Sequence, residues 1–243
     1  MSALPAILER VGSTDPDVAA RARRLATQIV DDYYRSRTPS GMKLVPGDVE
    51  VTREGVVVKE GCYLAVHEVT VAQFRQFLKH TGTTAERWEK LDPKHPVTLV
   101  EFTLAKAYAA WRDARLPTMA ELLRAAGRAG HSAYPWGDRF EPHRVNTREA
   151  AIGTTLPPGQ RPGGATPEGI HDLIGNVAEW TTTRAARSRA RYCAVGASFL
   201  RHAQGIMAGD RFISYRLRES EFRSDVGIRL ARSLPALPTA SGE

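Results

Sequence analysis

The chain has 243 residues, of which 42% are hydrophobic and 25% charged, and a formal net charge of +7. That length buries a substantial core in one large domain or two small ones, and the absence of any run of about 18 apolar residues excludes a transmembrane helix. Met1-Ser2-Ala3-Leu4-Pro5 lacks the regions of a signal peptide, so the expected location is cytoplasmic, and two cysteines, Cys62 and Cys193, are too few for a disulfide framework or a zinc site.

Residues 16–36 read as an amphipathic helix. Val18, Ala22, Leu25, Ile29 and Tyr33 fall at spacings of three or four, with Ala19, Ala26 and Val30 widening the stripe. Asp15 is the expected N-cap and Pro16 the first helical position. The apolar face predicts either packing on the following domain or docking to a partner protein or a second copy. From Met42 the pattern changes to short strands, at Val49–Val51 and Val56–Val58 around a Glu54-Gly55 turn, then at Cys62–Val66. Thr70 caps a helix carrying Val71, Phe74, Phe77 and Leu78, closed by Gly82. Residues 83–95 read as a charged irregular stretch with Trp88, and Pro96–Val100 as a buried strand. A helix follows with Leu104, Ala107, Tyr108 and Trp111 on one face. Thr118 caps another through Glu121, Leu122 and Ala126, stopped by Gly127 and Gly130.

From 131 to 200 the chain is rich in Gly, Pro and Thr and poor in periodicity. A long irregular stretch inside a compact domain is usually functional or held by ligands. A last strand is expected around Val226–Leu230. The net charge is concentrated near the end. Arg184 to Arg232 holds eleven arginines, no lysine and four acids. The planar guanidinium favours fixed pairs with carboxylates and carbonyls, so this segment reads first as structural arginine networks, then as a face for an acidic protein or ligand, and least as a nucleic-acid surface.

Several strings in order resemble the formylglycine-generating enzyme (sulfatase-modifying factor) family. They are Glu68–Phe74, Arg115–Glu121, Tyr134–Asp138, Asn146-Thr147, Asp172–Trp180, Gly196–Phe199 and Gly227–Ala231. The resemblance runs from about Met42 to Arg232. It implies an α+β fold, a variant of the C-type lectin fold with small antiparallel sheets, a few helices and long loops. The expected organisation is a helical extension at 1–41, the family-like domain at 42–232 and a flexible tail at 233–243.

The resemblance also implies a metal set. A structural Ca²⁺ would be held by the Asp172 side chain, the carbonyls of Gly175 and Val177, and the Glu179 carboxylate, a donor set that suits calcium. The competing expectation is that Glu179 pairs with an arginine and Asp172 caps a turn. A second family calcium position near Asn146 has no acidic partner beyond Glu149. Members that make formylglycine bind copper(I) through two cysteines, and those positions fall here on Arg201 and Ile206, which cannot hold copper. The iron-dependent relatives use a His-x3-His-x-Glu arrangement, and none of the seven histidines has that spacing. Neither copper nor iron is therefore expected, and the chain reads as a pseudoenzyme.

The leading expectation is a non-catalytic binding, adaptor or sensor module of a bacterial multi-protein system. Arg201, with His202, Arg211 and Tyr215 near it in sequence, would line the former catalytic cleft and take an anionic group such as a peptide carboxylate. A protein partner would engage helix 16–36 or the 184–232 face, with no membrane involved. The alternatives are a metal-dependent oxidoreductase with a displaced site and an arginine-rich nucleic-acid-binding protein. The hypervariable ligand-binding proteins that share the fold carry Asn-rich variable segments, whereas residues 200–230 contain no Asn.

Overall fold

A computed structural model describes residues 1, 3–52, 55–59, 61–127, 132–186, 188–206 and 212–238. It divides into two compact units, residues 1–63 with 233–243, and residues 64–232. The chain passes from one to the other in β4 (Cys62–Ala65) and back in β9 (Ala231–Ser233). No helix among the described residues is long and apolar enough to cross a membrane.

The first unit begins with two helices packed on each other, α1 (Leu4–Val11) and α2 (Pro16–Arg35). The Asp15 carboxylate accepts from the backbone N–H of Asp17 and Val18, and Pro16 supplies the first helical φ. β1 (Met42–Val45) follows. A hairpin of β2 (Asp48–Val51) and β3 (Val56–Lys59) then pairs Asp48 with Lys59 and Val51 with Val56. Val30, Tyr34, Leu44 and Tyr63 form a core flanked by Val49, Val56, Val58, Leu234 and Leu237. The Tyr63 hydroxyl donates to the Tyr34 carbonyl, and the Tyr34 hydroxyl donates to the Pro235 carbonyl.

This unit changes three expectations. The helix buries Ala19, Ala22, Ala26, Val30 and Tyr34: α1 packs along it, and Val30 and Tyr34 are covered by the hairpin and by residues 234–237. The buried line is rotated from the expected stripe, because alanines allow close helix and hairpin packing and leave Val18 and Leu25 about 40% exposed. The boundary expected at Met42 falls inside the unit. The segment expected as a flexible tail is packed as far as residue 237, because its two leucines complete this core. Residues 239–243 lie outside the described residues.

The second unit is built on a four-stranded sheet in the order β7 (Ile213–Arg218), β6 (Ser188–Val195), β5 (Ala178–Ala185), β8 (Val226–Gly227). β5 pairs antiparallel with β6 and parallel with β8, and β6 pairs antiparallel with β7. Four helices accompany the sheet: α3 (Val71–Thr81), α4 (Glu86–Glu89), α5 (Phe102–Trp111) and α6 (Met119–Ala126). Both expected caps are complete capping boxes, Thr70 with Gln73 and Thr118 with Glu121. Each satisfies two otherwise orphaned backbone donors. α3 ends at Gly82 in the left-handed conformation. α6 ends at Gly127, and Gly130 lies outside the described residues.

Phe74, Phe77, Trp88, Tyr108 and Trp111 make one aromatic cluster, with centroids 5.2–5.9 Å apart. α5 buries Phe102, Ala105, Tyr108 and Ala109, so Ala107 is not on the core face as expected. Pro96–Val100 is buried but forms only an isolated bridge, Thr70 to Pro96. Leu99 takes φ +60°, which breaks strand geometry there. The fold is α+β, as expected, with long irregular connections between 132 and 177.

Candidate functional site: a buried polar hub and an arginine-lined cavity

Two arrangements in the second unit account for the singled-out residues. The first is a hub around Asn176, just before β5 in the chain. Asn176 sits at φ +57°, a left-handed conformation that Asn tolerates better than most residues. Its side-chain oxygen accepts from the Leu156 N–H and the Asn146 amide. Its amide donates to the Leu156 carbonyl and to Glu68 Oε1. Its carbonyl accepts from the Phe199 N–H. One buried residue thus ties the segments around Asn146, Leu156 and Phe199 to the segment that carries Glu68.

Gly175 precedes it at φ +97°, and a Cβ there would sit 2.8 Å from the Asn146 carbonyl oxygen. Only glycine fits that close approach. Trp180, fully buried, donates its indole N–H to the Val100 carbonyl at 2.8 Å.

Beside Asn176 lies a buried ion pair. Arg229 Nε donates to Glu179 Oε1 at 2.7 Å, and the two side chains are 0% and 2% exposed. Its other nitrogens donate to the carbonyls of Ala65, Val66 and His171. Burial works against the Arg229 charge, but Glu179 and Glu68 hold it above its ordinary value. Burial also raises the Glu68 carboxyl well above the usual carboxylate range, with Asp172 adding to the effect. Asp172, at φ +56°, accepts from the Gly159 N–H through Oδ2 at 2.6 Å.

The residues of the expected metal set, Asp172, Gly175, Val177 and Glu179, lie in and beside this hub, where Glu179 is paired to Arg229 and Asp172 accepts from the N–H of Gly159, thirteen residues away. Carboxylate and carbonyl oxygens are the donor type that a hard cation takes. Glu68, Asp172 and Glu179 crowd one guanidinium, and Glu68 Oε2 is buried without a hydrogen-bond partner. No group of three His, Cys, Asp or Glu side chains among the described residues could hold a metal ion, so a cation here would depend on the Gly175 and Val177 carbonyls.

The second arrangement is a cavity of about 390 Å³ lined by Arg148, Leu200, Arg201, His202, Gln204, Ile206 and Ser214. Arg201 donates to the Ser214 carbonyl at 2.8 Å and lies 4.9 Å from the Tyr215 ring centroid. Arg148 reaches the cavity because its N–H donates to the Arg201 carbonyl. Among the described residues no carboxylate pairs with either guanidinium. The Glu149 carboxylate instead accepts from the N–H groups of Ala203 and Gln204 and lies 3.4 Å from His202 Nδ1. Burial opposes the Glu149 charge, but the neighbouring Thr147 hydroxyl and the backbone N–H donors outweigh that and hold it below its ordinary value.

Tyr215 stands at the back of this wall. Its hydroxyl donates to Asp225, which also accepts from Ser198 Oγ at 2.7 Å and Arg223 Nε at 3.2 Å. Burial and Asp225 raise the Tyr215 hydroxyl above its usual range.

Of the four expected cleft residues, Arg201 and His202 line the cavity and Tyr215 backs it. Arg211 lies outside the described residues. Arg148 was not anticipated, since 53 positions of chain separate it from Arg201 and only the fold joins them. Ile206, the other position implied for a copper cysteine, is 2% exposed on the same wall. Cys62 and Cys193 are buried in different units. Several arginines of the 184–232 segment are engaged within the fold. Arg191 contacts Glu221, Arg223 contacts Asp225, Arg232 contacts Asp113, and Arg184 lies over Tyr192.

Residues 33–234 match the family described as the sulfatase-modifying factor enzyme 1-like domain. The inactive Cα-formylglycine-generating enzyme 2 of Bos taurus is 38% identical over 110 residues, 40% of this chain and 35% of that protein. The formylglycine-generating enzyme of Mycobacterium tuberculosis is 41% identical over 102 residues, 37% of this chain and 33% of that protein. The chain thus spans about a third of the length of these relatives. The structure of Treponema denticola variable protein 1 superposes with a TM-score of 0.61 at 16% identity, covering 80% of this chain and 95% of that one. That last likeness is one of fold alone.

Proposed function

We propose that this chain, which belongs to the sulfatase-modifying factor enzyme 1-like family, is a non-catalytic member that captures an anionic group of a partner protein. One observation carries the reading. Two guanidiniums, Arg148 and Arg201, line one cavity of ligand-pocket size, and Arg201 stands where the family resemblance places a copper-binding cysteine. Neither Arg nor Ile is a copper donor, so the wall that would carry oxidase chemistry carries a positive charge. A planar guanidinium pair with an imidazole beside it suits a carboxylate. Leu200 and Ile206 give an adjoining apolar side chain a surface to cover. A peptide ending in a free carboxylate has that chemistry.

A structural calcium ion belongs to the same proposal. Asp172, Glu179 and the carbonyls of Gly175 and Val177 would hold it, and it would neutralise the surplus buried carboxylate and fix the loops. The metal takes no part in ligand capture.

The test is calorimetric titration of the full chain with acetate, inorganic phosphate and a peptide bearing a free C-terminal carboxylate. Binding that falls at least tenfold in both Arg148→Ala and Arg201→Ala supports the reading. Stoichiometric high-affinity copper(I) binding with oxygen consumption would overturn it in favour of a displaced oxidase site. Binding to nucleic acid with a steep salt dependence, lost on substituting the exposed arginines of 184–232, would overturn it in favour of a nucleic-acid protein.

A further inference from the structure

The first unit leaves part of α2 uncovered. Val18, Leu25 and Ile29 recur at i, i+7 and i+11, which places them on one line of the helix. Val18 is 40% and Leu25 42% exposed, and Ile29 is half-buried. This line is separate from the face that the hairpin covers. It is flanked by Arg21 towards the helix start and Asp32 towards its end, both exposed. More broadly, the first half of α2 carries Arg21, Arg23 and Arg24 against Asp17, and the second half carries Asp31 and Asp32 against Arg35, so the first half is net positive and the second net negative.

We infer that this line is the contact of a two-fold symmetric dimer in which α2 packs antiparallel on α2 of a second copy. A two-fold interface must be self-complementary, and this helix is. When Leu25 of one copy lies level with Ile29 of the other, the two-fold axis makes the same contact twice. That register places Arg21 level with position 33 of the partner. Asp32 of the partner is then one residue away, about 1.5 Å along the axis. Both Arg21–Asp32 pairs fall on the same side of the seam, because the axis perpendicular to the helices keeps flanking residues on their own side. A parallel pairing would set like charges beside each other, so the charge pattern selects the antiparallel arrangement. The apolar line is short, and the contact belongs with small, transient interfaces below about 1,200 Å². The dimer is therefore concentration-dependent and weakened by salt.

Sedimentation velocity of the full chain over a concentration series, at low and high salt, tests this. The wild type is expected to move from monomer to dimer with concentration, and less readily at high salt. Arg21→Asp and Asp32→Arg, each at an exposed position, are expected to be monomeric alone. Mixed in equal amounts they are expected to restore a dimer, because both cross-pairs are then opposite in charge. Leu25→Glu is expected to be monomeric, with circular dichroism confirming that each variant is folded. A wild type that stays monomeric at every concentration would overturn the inference. So would a dimer that survives Arg21→Asp and Leu25→Glu, or a charge-swapped mixture that remains monomeric.

Discussion

Arg229→Met is the most searching perturbation of the second unit. The guanidinium is fully buried and makes four hydrogen bonds, to Glu179 and to the carbonyls of Ala65, Val66 and His171. Methionine approximates its volume but returns none of them. Removing one partner of a buried ion pair costs about 3–5 kcal/mol, because the remaining charge is left uncompensated. Each orphaned carbonyl that water cannot reach adds about 1 kcal/mol. Partial relaxation brings the total to about 5 kcal/mol, a third or more of the stability of an ordinary domain.

Urea denaturation followed by tryptophan fluorescence is the suitable assay, since Trp88, Trp111, Trp136 and Trp180 all lie within residues 64–232 and report on that unit alone. The cost should shrink as the pH is lowered, because Glu179 can then take up a proton instead of staying buried and charged. The double variant Glu179→Leu with Arg229→Met should cost less than the sum of the single changes by at least about 2 kcal/mol. A loss of under about 1 kcal/mol for Arg229→Met at neutral pH, or additive single changes, would refute the view that this pair organises the unit.

Three further outcomes follow from the same geometry. Asn176→Ala should cost about 4 kcal/mol in the same urea assay, through four lost side-chain hydrogen bonds and a left-handed φ that alanine resists. Asn176→Gly, which relieves only the backbone, should still lose most of that. Burial pushes the Glu121 carboxyl up, but the bonds from Arg115 and Thr118 outweigh it and hold it below its ordinary value near 4.5. Its folded value is the depressed one, so its contribution is present above the unfolded value and lost as the pH falls through the folded one. Glu121→Gln should therefore flatten the acid limb of stability below about pH 4.5, read as urea midpoints across a pH series. Calcium added to chelator-treated protein should raise the melting temperature, by the equivalent of about 2.7 kcal/mol at a hundredfold excess over its Kd. Asp172→Ala should abolish that shift, and an unchanged wild-type melting temperature would rule out the ion.

What could be read from the sequence was mostly local. Thr70-x-x-Gln73 and Thr118-x-x-Glu121 are reciprocal caps that need no tertiary context, and both formed. The hairpin around Gly55 was legible for the same reason. β5 and β6 were not, although they form the centre of the sheet. Ala178–Thr181 is buried at every position, so the strand shows no alternation to detect. The stripe of α2 includes Ala19, Ala22, Ala26 and Val30, which are buried, but hydrophobicity alone also gives weight to Val18 and Leu25, whereas close packing selects the alanines. In the hub, Asn176 and Arg229 stood inside conspicuous strings, but their partners come from 20 to more than 160 positions away. Arg148 carried no signal at all, since its role arises from one backbone hydrogen bond to Arg201.

The Asn176 clamp also bears on how this protein breathes. Amide hydrogen exchange commonly follows regular secondary structure, with loops exchanging first. Here the Leu156 and Phe199 amides sit in irregular segments yet donate to a buried asparagine. They should open only when the unit does, and exchange as slowly as the amides of β5. The slow-exchanging core would then extend into chain that has no repeating structure, and its outline would trace polar side chains instead of strands.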